Sequence, residues 1–215
     1  MQNHQRRFLD LALARDALRF GEFTLKSGRV SPYFFNAGRL DSGAALAEIG
    51  ECYAHALDDA GLEFDMLFGP AYKGIALASA LAIALARRGR DVPLAFNRKE
   101  AKAHGEGGSL IGAPIAGRVL IVDDVITAGT AVRDAFAQIA GAGGQVCGVL
   151  VALDRQERGQ HGTRSATDEL ADQFSVPVIA IAGLDELLAL AVDRPELAVH
   201  APRLLQYRER YGASG

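Results

Sequence analysis

The sequence predicts an α/β fold in which a parallel sheet is covered by helices on both faces. From about residue 64 onward, short apolar runs alternate with helical patterns, the signature of strand–helix–strand units. Those runs are continuously apolar, as strands buried on both faces require. Glycine and charge concentrate just after the runs, and in open sheets of this kind ligands bind beyond the carboxyl ends of the strands.

Taken in order, residues 5–20 place Phe8, Leu9, Leu11, Ala12, Leu18 and Phe20 at helical spacing, which predicts a first helix. FTLKSGRVSPYFFNAG (23–38) alternates and carries Gly28 and Pro32, so it reads as short strands joined by a turn. Asp41 or Ser42 caps a helix over about 43–60, ended by Gly61. FDMLF (64–68) is a strand, GPAYKG follows, and a helix covers about 74–88. PLAF (93–96) is the next strand, then a polar, glycine-rich stretch runs to Gly112. VLIV (119–122) precedes a helix over about 130–140. QVCGVLVAL (145–153) precedes a helical segment around 166–174, and PVIAI (177–181) is the last strand. The tail, 184–211, is helical, with Pro195 opening its last helix.

The bulk properties exclude several classes. With 49% hydrophobic and 23% charged residues, the chain has the composition of a soluble domain with one substantial core. A net charge of −3 gives no reason to expect nucleic-acid coating or a membrane surface. Cys52 and Cys147 sit in apolar patterns and read as buried free thiols, with no cysteine–histidine cluster for zinc. MQNHQRRFLD lacks the apolar run of a signal peptide, and the run from Gly74 to Ala86 is shorter than the roughly 20 residues that span a bilayer. A cytoplasmic protein is expected.

Four post-strand segments carry the chemistry: GPAYKG (69–74), NRKEAKAHGEGGSLIG (97–112), DDVITAGT (123–130) and DRQERG (154–159). In DDVITAGT, Thr127, Gly129 and Thr130 stand at the start of a helix, where unpaired backbone N–H groups attract anions. There is no GxxxxGK[ST] loop and no GxGxxG fingerprint. Asp123 and Asp124 lie just upstream; carboxylates repel phosphate but accept hydrogen bonds strongly from hydroxyls. A ribose 5-phosphate satisfies both halves, whereas a lone Asp pair would read as a helix cap with a solvated neighbour. Arg98, Lys99, Lys102 and His104 lead into GEGG, a composition suited to a lid over a polyanion or to a solvated surface loop. Lys73 sits in a Gly/Pro-rich turn that suits phosphate. Lys26 with Phe34 and Phe35 suits a flat anionic ring, although two core phenylalanines and a surface lysine is the plainer reading.

VLIVDDVITAGT resembles the signature of phosphoribosyltransferases that use 5-phosphoribosyl 1-pyrophosphate. Together with FTLKSGRxSPYFFNAG, FGPAYKGI, FNRKEAKxHGEGGxLxG and LDRQERG, the chain resembles the bacterial orotate phosphoribosyltransferases across residues 20–159. The fold expected is a Rossmann-like parallel sheet flanked by helices. A small N-terminal hood (about 20–40) and a flexible catalytic loop (about 99–112) complete one domain over 1–215.

The resemblance implies roles. Asp123 and Asp124 bind the ribose hydroxyls, Thr127, Ala128, Gly129, Thr130 and Ala131 wrap the 5-phosphate, and Val125 and Ile126 belong to the same substrate-binding run. Tyr72 and Lys73 line the pyrophosphate pocket, in a turn that in this family often contains a non-proline cis peptide. Arg98, Lys99, Lys102 and His104 contact pyrophosphate from the loop, partly across a homodimer interface. Lys26, Phe34, Phe35 and Arg155 hold orotate, whose carboxylate matches a guanidinium fork. Lys102, Lys73, His104 and the Asp pair form the catalytic set. Mg²⁺ is carried mainly by the pyrophosphate substrate and water, so no protein metal ligands are expected.

Two other readings use the same signature. A regulator that senses the activated sugar would need a DNA-reading module, and only about 20 residues precede the first hood-like strand. A transferase for another base, a purine or uracil, is the other reading; Lys26, Phe34, Phe35 and Arg155 argue for an anionic ring instead.

Overall fold

The computed structural model describes residues 1–25, 27–99, 109–126, 129–159 and 162–213. Six strands form one sheet: β3 (Met66–Gly69), β4 (Leu94–Asn97), β5 (Leu110–Gly112), β6 (Arg118–Asp123), β7 (Gln145–Asp154) and β8 (Val178–Gly183). Their spatial order is β5-β4-β3-β6-β7-β8, and every pairing is parallel except β4 with β5. β5 is an addition to the expected pattern. It is three residues long, ends in a glycine at φ +101°, and lies inside the stretch read as a loop; a strand that short leaves no periodicity in the sequence.

The side chains of β6 show why the runs are continuously apolar. Leu120 and Val122 join one core cluster, packed with α2 (Gly43–Ala60), α3 (Lys73–Arg87) and α6 (Leu184–Asp193), together with α1 (Asn3–Ala14). Val119 and Ile121 join a second cluster with α4 (Thr130–Gly141) and α5 (Ala166–Phe174). Successive residues of a strand point to opposite faces, so covering both faces requires apolar residues at every position. The Rossmann-like architecture follows from that pattern. Emptying one such site, as Leu120→Ala would, costs about 2–5 kcal/mol.

A separate two-stranded antiparallel sheet, β1 (Leu18–Thr24) and β2 (Val30–Phe35), stands where a hood was expected. The first helix is shorter than its pattern suggested. It stops at Ala14, Asp16 turns the chain at φ +53°, and Leu18 and Phe20 belong to β1. Their spacing of two is the period of a strand face and not of a helix, and they pair with Phe35 and Tyr33 of β2. Ser42 caps α2 by accepting from the Ala45 N–H, and Gly61 ends it in a left-handed conformation, as expected.

The tail differs in one respect. α6 ends at Asp193, Arg194 before Pro195 is extended, and a turn and a short 3-10 segment intervene. Pro202, not Pro195, stands in the first turn of α7 (Ala201–Tyr211). Of the two free cysteines, Cys52 is buried, whereas Cys147 is only half-buried.

Candidate active site

The carboxyl ends of β3, β6 and β7 lie side by side in the middle of the sheet. After β3 the chain turns through Pro70–Tyr72 into α3, and the Ala71–Tyr72 peptide bond is cis. The Ala71 N–H donates to Asn97 Oδ1 at 2.7 Å, so the end of β4 holds this turn. Gly74 permits the close approach to β6: a Cβ there would lie 2.7 Å from both Pro70 Cδ and the Val122 carbonyl oxygen. Lys73 opens α3, and its Nζ reaches Asp124 Oδ2 at 2.6 Å. Tyr72 is exposed, with Lys99 Nζ 4.9 Å from the centre of its ring.

Asp123 and Asp124 occupy different environments although they are adjacent. The Asp123 carboxyl is buried, and its Oδ1 accepts the Asp124 N–H at 2.9 Å. Tyr53 from α2 donates its hydroxyl to the Asp123 carbonyl at 2.8 Å. The Asp124 carbonyl accepts from the Ala152 and Leu153 N–H groups of β7 at 3.0 and 3.1 Å. This backbone is therefore pinned from both sides. Burial first, and the Asp124 charge second, push the Asp123 carboxyl up to about 7, with Lys73 pulling the other way. Asp124 has Lys73 as its counterion, and Asp123 takes a proton readily.

Beyond the pair, Val125 is half-buried and Ile126 packs in the core. Gly129 adopts φ +69°, and its carbonyl accepts from the Arg133 N–H in the first turn of α4. Thr130 and Ala131 are exposed at that helix start. A helix N-terminus beside two carboxylates, next to a lysine-bearing turn, can hold a phosphate and a diol in the same ligand.

A family model, described as phosphoribosyl transferase domain, matches residues 39–178. An orotate phosphoribosyltransferase of Xanthomonas euvesicatoria pv. vesicatoria (strain 85-10) is 65% identical over 214 residues, 99% of this chain and 98% of that protein. The chain belongs to the orotate phosphoribosyltransferase family. The same name is borne by a protein of Stenotrophomonas maltophilia (strain K279a) that is 60% identical over 99% of this chain and 98% of its own length. The crystal structure of orotate phosphoribosyltransferase from Francisella tularensis superposes with a TM-score of 0.86 at 38% identity, covering 96% of this chain and 99% of that one.

On the base side of an orotate phosphoribosyltransferase site, the structure corrects the idea of a two-ring grip. Phe35 is in the core, edge-on to Phe8 at 5.8 Å, while Phe34 faces the other way, 5.5 Å from Phe23 and 5.9 Å from the Arg19 guanidinium. Neighbours on a strand point to opposite faces, so the two rings cannot clasp one ligand. Ile126 likewise has its side chain in the core, which leaves only its backbone for a ligand.

Arg155 follows β7 and is nearly buried. Its Nε and Nη2 lie 2.7 and 2.6 Å from Glu157 Oε1, and Nη2 also donates to Ser31 Oγ of β2 at 3.0 Å. Its guanidinium stands 4.4 Å from the centre of the Tyr33 ring. Arg98 closes the base of the loop segment through its N–H to the Ser109 carbonyl at 2.7 Å. Lys26, Lys102, His104, Thr127 and Ala128 lie outside the described residues.

Four positioning groups escaped the sequence reading: Tyr53, Asn97, Ser31 and Glu157. Asn97 and Glu157 stand inside the post-strand segments, where a polar side chain beside a cation was a usable signal. Tyr53 sits in an apolar helix stripe and gave none.

Proposed function

We propose that this chain transfers the 5-phosphoribosyl group from 5-phosphoribosyl 1-pyrophosphate to orotate, giving orotidine 5′-monophosphate and pyrophosphate in pyrimidine synthesis. One observation carries the reading: the carboxylate pair, Lys73 and the start of α4 converge at the sheet's carboxyl edge. They do so in a chain 65% identical, over nearly its whole length, to an orotate phosphoribosyltransferase.

In the reaction the bond from the anomeric carbon to pyrophosphate oxygen breaks, a bond to the orotate ring nitrogen forms, and the proton of that nitrogen passes to the leaving pyrophosphate or to water. Positive charge grows on the ribose while negative charge grows on the leaving group, so catalysis rests on positioning and electrostatics. Asp123 and Asp124 accept the two ribose hydroxyls and face the developing cation. Residues 127–131 hold the 5-phosphate. Lys73 exchanges Asp124 for the pyrophosphate when substrate arrives, and Tyr72, Arg98, Lys99, Lys102 and His104 complete that pocket. Mg²⁺, bound with the substrate, neutralises pyrophosphate oxygens; a site with one carboxylate already paired to Lys73 suits an ion carried in by its ligand.

Lys26 and Arg155 supply positive charge for orotate. The Asn36 N–H bonds to the Ala17 carbonyl, so the alternation of the ladder turns the backbone of Phe35 away from β1. The Tyr33 groups on that outward edge are taken by Ser31 Oγ, so the backbone of Phe35, rather than the two rings, is what β2 offers the base.

The same reading includes a homodimer with loop residues acting across the interface, and a cytoplasmic location without nucleic-acid or membrane partners. Ile83, exposed on α3, fits a protein contact, and among the described residues no helix is long and apolar enough to cross a membrane. Mixing the purified protein with both substrates and Mg²⁺ and following the loss of orotate absorbance tests the activity. No turnover by folded protein overturns it, and faster turnover of uracil or hypoxanthine would reassign the base. Light scattering tests the dimer.

A further inference from the structure

The arginine assigned to the base is not a loose side chain. Glu157 Oε1 takes both Nε and Nη2 of Arg155, and Ser31 Oγ takes Nη2 as well. The Tyr207 hydroxyl lies beside both Glu157 and Arg155, and Nη1 makes no hydrogen bond to Glu157 or Ser31. Glu157 is 12% exposed, so its carboxylate is sheltered from the solvent. Its second oxygen lies 3.5 Å from Arg29 Nη1. Two guanidiniums thus share one carboxylate, and the cluster keeps a net positive charge for an anionic base.

The backbone carrying Glu157 is itself fixed by the end of the chain. Arg158 N–H donates to the Tyr211 carbonyl at 2.8 Å, and Ala213 N–H donates to the Gln156 carbonyl at 2.9 Å. Residues 157 and 212 form an antiparallel bridge.

We propose that Glu157 is a positioning residue for orotate: it clamps one edge of Arg155 so that the guanidinium meets the substrate carboxylate through Nη1 alone. The inference rests on the reading that Arg155 contacts orotate. A side-on fork through Nε and Nη2 is unavailable while Glu157 holds that edge, and an end-on fork would have to displace Ser31. Held this way, Arg155 loses little rotamer freedom on binding, which is the ordinary source of affinity from preorganisation.

The test compares Glu157→Ala, Glu157→Gln, Ser31→Ala and Arg155→Ala with the unaltered enzyme, by steady-state kinetics in both substrates and by thermal melting. Losing a charged hydrogen-bond anchor raises the orotate KM about tenfold or more in Glu157→Ala. The kcat and the KM for 5-phosphoribosyl 1-pyrophosphate stay within about threefold on the same grounds, because neither depends on Nη1. Glu157→Gln, which keeps an acceptor at Oε1, recovers part of the loss. Should Glu157→Ala fail to fold, Glu157→Gln and Ser31→Ala decide, with smaller rises confined to orotate.

If Arg155→Ala raises the orotate KM and the folded Glu157 and Ser31 variants leave it unchanged, the positioning proposal is wrong and the Arg155 reading stands. If Arg155→Ala leaves it unchanged, both fall. A tighter orotate KM in Glu157→Gln would mean that Glu157 competes with the substrate, and would also overturn the proposal.

Discussion

Replacing Asp123 by asparagine should make the protein more stable as the pH rises, and less active. The Asp123 carboxyl accepts the Asp124 N–H, with Lys73 paired to Asp124 and the Tyr53 hydroxyl donating to the backbone carbonyl of Asp123 itself. Burial and Asp124 raise it from 3.8 to about 7. Each decade of proton affinity is about 1.4 kcal/mol, so three decades place an upper bound of about 4 kcal/mol on the cost of holding the ionised group. The sign follows from proton uptake. Between about pH 4 and pH 7 the folded chain binds a proton that the unfolded chain has lost. Stability from this group is therefore complete below the unfolded value and drains away as pH rises through about 7.

Asparagine keeps the Oδ1 that accepts the Asp124 N–H and carries no charge at any pH. The variant should thus match the parent near pH 4 and exceed it at pH 8, by up to roughly 10 °C in melting temperature for a chain of this size. Melting curves at a fixed protein concentration across pH 4.5 to 8.5 measure it. A difference that does not grow with pH, or a variant less stable at pH 8, would refute the assignment of burial and repulsion to Asp123. Activity at pH 8 should fall at least about tenfold, because a charged acceptor for a ribose hydroxyl is gone. A residue that destabilises the free protein while serving the reaction is the ordinary compromise of a site built for a ligand.

Lys102→Ala should lower kcat about a hundredfold, as loss of an electrostatic group at a leaving pyrophosphate does, with the melting temperature unchanged; a large fall in stability at normal kcat would make Lys102 structural. Gly74→Ala places a methyl group 2.7 Å from Pro70 Cδ and from the Val122 carbonyl, so the turn bearing Lys73 must move. A stability loss of about 1–3 kcal/mol and a fall in kcat of more than about tenfold are expected, read by denaturant unfolding and by the orotate assay. Normal kinetics in that variant would show that the turn's position does not matter.

Legibility varied with how local the signal is. The sheet could be read because β3 and β6 are fully buried at each apolar position, and because Ser42 and Gly61 mark the ends of α2 in the residue types that caps require. The Asp pair could be singled out only with its neighbours: alone it would pass for a helix cap, but DDVITAGT sets a helix start and two hydroxyls behind it. What separated Asp123 from Asp124 could not be read. It comes from Lys73, fifty-one residues upstream, and from the burial of Asp123. β5 and the end of α1 were missed because three-residue strands and a spacing of two carry too little periodicity to decide.

The base side marks where side-chain chemistry stops being the right language. VSPYFF is a strand, and on a strand two adjacent aromatic residues face opposite ways. Phe35 therefore belongs to the core before any ligand is considered. Ser31 Oγ already meets the Tyr33 carbonyl and N–H at 2.7 and 3.4 Å, so in the proposed reading β2 offers a flat anionic ring the backbone N–H and C=O groups of Phe35. Every residue except proline carries both groups, so no residue type announces them. In the proposed reading, specificity for the carboxylate falls to Arg155, which Glu157 and Ser31 hold by hydrogen bonds and behind which stands the bridge at Gly212. A tail without any motif thus reaches the site through the backbone, a connection that pairing across fifty-five residues makes and a motif search has no means to see.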